Sequence, residues 1–181
     1  MDDYLATPGI LERLQTERAA LIARFESIPA DFRNRRPSPG RWSVAEVLEH
    51  LTRLELGLTK LLTLRGQQPP PPDSPAPDES NKMTPALGRL VRDRSKHIEA
   101  PERVLPAGAL TADEAFPQLL HARSEMLAAF DSANPEALDK LTHPHPLFGP
   151  LTLRSWVALA ADHEARHAEQ MSEIADQLRD G

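Results

Sequence analysis

The chain has 181 residues, of which 40% are hydrophobic and 27% charged, enough for one domain with a sizeable core and short for two. Lys and Arg total 21 against 27 Asp and Glu, a formal net charge of −6, which argues against a partner held through nucleic-acid phosphates. With no cysteine, disulfides, thiolate metal sites and cysteine nucleophiles are excluded.

No apolar run approaches the roughly 20 residues of a membrane helix, and Met1-Asp2-Asp3 is unlike the basic start of a secretory signal. A cytoplasmic protein with no membrane partner is expected. Leu (26) and Ala (24) outnumber Val plus Ile (10) five to one, which favours helix over strand. The 18 prolines are about twice the usual share, and the windows they avoid are where long helices fit.

The first such window is 9–28, where Ile10, Leu14, Leu21, Phe25 and Ile28 recur at helical steps on one face. Pro29, Pro37 and Pro39 then mark a connection ending at Gly40. The second window, 40–68, opens on Ser43-Val-Ala-Glu46, a capping box, and carries Val44, Val47, Leu51, Leu54, Leu58, Leu61 and Leu62 to a stop at Gly66. Residues 69–80 contain four consecutive prolines and read as an extended surface loop within a single domain spanning 1–181. Thr84-Pro85 starts a short helix.

The third window, 107–134, begins with a second capping box, Thr111 to Glu114. Phe116, Leu119, Leu120, Leu127 and Phe130 form its stripe, interrupted only by Pro117 at the backbone level. Arg123 falls within that stripe. It is expected either to snorkel outward or to bind an anionic group of a substrate inside a pocket. Residues 143–150, rich in His and Pro, read as a rigid connection. The last helix runs from about Thr152 to Leu178, roughly 40 Å. Four long helices with little strand signal give an all-α four-helix bundle.

The last helix holds His163 and His167 one turn apart, on the arc shared by Trp156, Leu159, Ala160 and Ile174. Two imidazoles facing a core must find partners, because an unpaired buried polar group costs about 1–3 kcal/mol. His50 lies at the edge of the second helix's stripe. If the second and last helices are neighbours, three neutral imidazoles converge, leaving one coordination position open for water or substrate. Gln170 shares the arc of His163 and His167 and is placed to hydrogen-bond a ring. Glu46, one turn before His50, is placed either to orient that ring or to serve its cap. His97, His121, His143 and His145 are less useful, and His121 is expected on the surface. The literal His163-Glu-Ala-Arg-His167 matches the zincin signature, but Gln170 and Glu173 stand where that class needs Gly and a third His, and Glu164 points about 100° away.

Two segments carry a family resemblance. One is Gly40-Arg-Trp-Ser-Val-Ala-Glu-Val-Leu-Glu-His50-Leu. The other is His145-Pro-Leu-Phe-Gly-Pro-Leu-Thr-Leu-Arg-Ser-Trp156, continuing to His163-Glu-Ala-Arg-His167-Ala-Glu-Gln170. In this order they resemble the DinB-like superfamily of metalloenzymes over most of the chain, with 69–105 matching poorly. The resemblance implies a four-helix bundle, often a homodimer, with a divalent metal on three histidines that map onto His50, His163 and His167. Characterised relatives include S-transferases and isomerases that use low-molecular-weight thiols.

The expectation is therefore a divalent-metal-dependent enzyme, with Zn or Ni suited to imidazole ligands. It would be a thiol-dependent S-transferase or a hydrolase acting on a small-molecule substrate. The alternative is a non-catalytic metal-binding or structural helical-bundle stress protein.

Overall fold

The computed structural model describes residues 4–96 and 98–180. Four long helices supply the frame: α1 (Thr7–Ser27), α2 (Val44–Arg65), α4 (Ala112–Asp131) and α6 (Leu153–Asp180). Each occupies one of the proline-poor windows. Between them lie α3 (Pro85–Arg92), α5 (Pro135–Lys140) and a two-stranded antiparallel hairpin, β1 (Thr142–His145) with β2 (Gly149–Thr152). None of the described helices is long and apolar enough to cross a membrane.

The local chemistry explains the boundaries. Ser43 Oγ accepts from the Glu46 amide at 3.2 Å while Glu46 Oε2 accepts from the Ser43 amide at 2.9 Å, so two end groups of α2 are satisfied reciprocally. Thr84 Oγ1 accepts from Leu87 N ahead of Pro85, as the sequence suggests. At α4, the Glu114 carboxylate accepts from both the amide and the hydroxyl of Thr111. The Pro-rich stretch after α2 is irregular and mostly exposed.

The connection expected over 143–150 is instead the hairpin. Its register pairs Pro144 with Pro150 and His145 with Gly149. A ribbon of only two strands tolerates both prolines, because every strand is an edge. Gly149 takes φ +70° at the start of β2, a backbone region unfavourable for other residues. Leu120, expected in the stripe of α4, is exposed. The inward face of that helix runs through Leu119, Ala122, Arg123, Met126 and Phe130, which turns Leu120 about 100° outward.

In the bundle α1 packs along α6 and α2 along α4, with α2 also touching α6. The apolar core divides into two clusters. One contains Ile10, Leu14, Leu58, Leu62, Met126 and Trp156; the other contains Leu21, Phe25, Leu48, Leu51, Leu119 and Met171. Between them lies a buried layer of charge with one residue from each long helix: Arg18, Glu55, Arg123 and Glu164. Arg18 reaches Glu164 at 2.5 Å and Glu55 at 2.7 Å, and Arg123 Nη2 reaches both carboxylates at 2.6 Å. The guanidinium groups also donate to the carbonyls of Leu119 and Leu14. Burial pushes the Glu55 carboxyl upward, against the pull of Arg123 and Arg18.

Candidate metal centre

The capped start of α2 fixes its rotation, and seven residues after Ser43 the His50 ring points toward α6. His163 and His167, one turn apart, meet it there. His50 Nε2 lies 3.4 Å from His163 Nε2, and His167 Nε2 lies 3.2 Å from the same atom. One nitrogen from each ring lies within 4.8 Å of the others. Ring centroids are 4.4 to 5.2 Å apart and the rings are mutually tilted, so the three nitrogens converge rather than stack.

Two of the rings have their tautomers set from behind. His50 Nδ1–H donates to the Val104 carbonyl at 2.8 Å, and His167 Nδ1–H donates to Gln170 Oε1 at 2.8 Å. Each bond leaves Nε2 with a lone pair directed at the cluster. Burial pushes the pKa of His50 below its ordinary value, and those of His163 and His167 well below it, so the rings are neutral near pH 7.

The donor set fits a divalent cation. Metal–imidazole bonds of 2.0–2.1 Å at tetrahedral angles place ligand nitrogens about 3.3 Å apart. Without a cation, at most one proton, on His163 Nε2, is available to two facing lone pairs, and His163 Nδ1 is buried with no hydrogen-bond partner. A cation satisfies all three facing lone pairs together. Among the described residues, no Asp, Glu or further His joins the group.

Aromatic side chains flank the cluster. The Trp42 ring lies 5.0 Å from that of His50 and 6.4 Å from that of His167. The hairpin brings His145 against Phe148 at 4.6 Å and Trp156 at 4.8 Å, while Trp156 Nε1–H donates to the His143 carbonyl. His145 Nδ1 accepts from the amides of Leu147 and Phe148, and burial together with Arg103 lowers its pKa to about 4.

Several expected roles change. Arg123 neither snorkels outward nor faces a substrate pocket: its three guanidinium nitrogens are engaged by Glu55, Glu164 and the Leu14 carbonyl in the charged layer. Glu46 does not orient His50, because its carboxylate is held by the Ser43 amide and by Arg36. The Val104 carbonyl does so instead. Glu164 likewise belongs to the charged layer. His121 is on the surface near Glu125, and His97 lies outside the described residues. Sequence reasoning missed Val104 and Trp42. The Trp-Ser pair before the capping box was a usable signal for the latter; a backbone carbonyl 54 residues away leaves none.

Comparison with known proteins gives the family and the fold. The profile of the DinB superfamily matches residues 13–171. The chain belongs to the DinB superfamily. The uncharacterized protein YuaE of Bacillus subtilis (strain 168) is 30% identical over 146 residues, covering 80% of this chain and 84% of that protein. The crystal structure of TT2238, a four-helix bundle protein, superposes with a TM-score of 0.59 at 24% identity, covering 91% of this chain and 96% of the other. That likeness supports the bundle. DinB superfamily membership and the histidine cluster are together compatible with a divalent metal.

The burial of the rings has a measurable consequence. In the unfolded chain each histidine takes up a proton near 6.5, whereas the folded protein resists protonation down to lower pH. Acid therefore favours unfolding as pH falls through the ordinary histidine range, because the unfolded chain takes up protons that the folded one refuses. Chelator-treated protein should melt progressively lower from pH 7 to pH 5. A melting temperature that is flat across this window contradicts the assignment of three buried neutral rings.

Proposed function

We propose that this protein is a divalent-metal-dependent enzyme that activates a small-molecule thiol, or water, for attack on an electrophilic substrate. The observation that carries the reading is the convergence of three neutral imidazole nitrogens with no fourth protein ligand among the described residues. A structural site is normally closed by four protein ligands, whereas a catalytic one keeps a position for water or substrate. This favours catalysis over a purely structural bundle.

His50, His163 and His167 hold the ion, and Zn or Ni suits their chemistry. The bound ion supplies Lewis acidity, lowering the pKa of a thiol or water taken up at the remaining position. Val104 and Gln170 keep the two outer rings in the ligating tautomer. Trp42 presents an apolar face beside His50 and His167, limiting water on that side. A low-molecular-weight thiol gives an S-transferase; water gives a hydrolase.

The test is thiol consumption with a panel of electrophiles, run beside metal analysis of the purified chain. The expected result is about one Zn or Ni per chain and conjugation that stops on chelation and returns with either ion. Activity untouched by chelator, or protein that takes up neither ion, overturns the proposal.

A further inference from the structure

The segment joining α3 to α4 is gripped by two consecutive residues of α2. His50 holds it at the Val104 carbonyl. Three residues further on, four successive amides converge on the carboxylate of Glu49. Ala107 and Gly108 donate to Oε2 at 2.8 and 3.2 Å, and Ala109 and Leu110 donate to Oε1 at 3.1 and 3.0 Å. Gly108 takes φ +65°, the left-handed conformation that lets consecutive N–H groups face one anion. Glu49 is 5% exposed, so these bonds form away from bulk water.

The arrangement is unusual for a glutamate in a helix. Among the described residues no arginine or lysine pairs with it; its partners are main-chain donors 58 to 61 residues away. Anchoring those donors fixes the strap only three residues beyond Val104. The Val104 carbonyl in turn decides which nitrogen of His50 carries the proton. An imidazole deprived of that acceptor divides between two tautomers, and only one presents the Nε2 lone pair to the cluster.

We infer that Glu49 is a positioning residue for the ligand His50, acting through the strap 104–110. The inference rests on reading His50, His163 and His167 as metal ligands, but its central physical claim concerns the His50 tautomer. Glu49 acts by holding backbone in place, and it does not itself touch the ion or the substrate. Outer partners of this kind change metal affinity by about 10–100-fold, and the lower end applies to a residue acting one step removed.

The experiment compares full-length wild type with Glu49→Gln and Glu49→Ala, using zinc alone as the probe. Three readouts are taken: nitrogen-15 shifts of the His50 ring in metal-free protein, zinc affinity by competition with a chromophoric chelator, and amide exchange over 105–110. In the wild type, His50 should be protonated at Nδ1 only. Glu49→Ala should mix the two tautomers, weaken zinc binding about tenfold and speed exchange of the strap. Glu49→Gln, which retains one acceptor oxygen, should fall between. If Glu49→Ala fails to fold, Glu49→Gln carries the comparison.

Variants that melt earlier but keep the wild-type tautomer and the wild-type zinc constant give Glu49 a merely structural role and overturn the inference. If wild type itself takes up no zinc, the metal reading fails separately. The tautomer comparison then still decides the role of Glu49: a shift supports it, and an unchanged ring overturns it.

Discussion

Replacing Arg123 by alanine should lower the unfolding free energy by about 3–5 kcal/mol, read as an earlier midpoint in denaturant at unchanged slope. The cause is the company this side chain keeps. Arg123 and Arg18 face Glu55 and Glu164 in a layer sealed above and below by the two apolar clusters. Removing one guanidinium leaves a net negative charge with no access to water. The Glu55 carboxyl is already pushed upward by burial, and one of its oxygens lacks a partner. In a domain of this size each kcal/mol corresponds to about 2–4 °C in melting temperature. The matched control converts all four positions together, Arg18→Met, Glu55→Leu, Arg123→Met and Glu164→Leu, and should be near neutral or stabilising, since no charge is then stranded. A loss below about 1 kcal/mol for Arg123→Ala would sink this account.

The second large effect is on metal content. His163→Ala should abolish stoichiometric zinc or nickel binding, because His163 Nε2 is the atom both other rings approach. Gln170→Ala should weaken binding by only about 10–100-fold, since it removes an orienting hydrogen bond and leaves every ligand in place. The ranking carries the argument: ligand loss must exceed loss of its support. Metal analysis after gel filtration, followed by chelator competition on each variant, measures it. Equal effects of the two substitutions would contradict direct ligation by His163.

The long helices could be read from the sequence because proline exclusion and apolar periodicity are local. So could the His50, His163 and His167 grouping, once α2 and α6 were taken as neighbours. Local rules ran out where partners come from distant chain. Glu49 in isolation is one more acid on a helix, and the amides that surround it belong to a loop with no distinguishing composition. The charged layer did leave a trace. Arg18 stands between Leu14 and Leu21, Glu55 between Leu51 and Leu58, Arg123 between Leu119 and Met126, and Glu164 between Ala161 and Ala168, so each interrupts an apolar stripe. Taken one helix at a time, such a residue looks like a snorkelling exception; taken across helices, two positive and two negative interruptions at one level are complementary. The hairpin was hidden by its prolines, which argue against strands in general and are harmless in an isolated ribbon.

The charged layer also limits where the chain can change in length. Adding a single residue to a long helix between its cap and that layer turns everything beyond by about 100°, carrying an ionised group into hydrocarbon and, on α2 or α6, moving an imidazole away from its companions. Spliced into 69–77, the same residue alters neither alignment, because that excursion is irregular and mostly exposed. Tolerance to insertion should therefore be sharply uneven along this protein, with the proline-rich excursion as its natural site for a tag or a grafted loop.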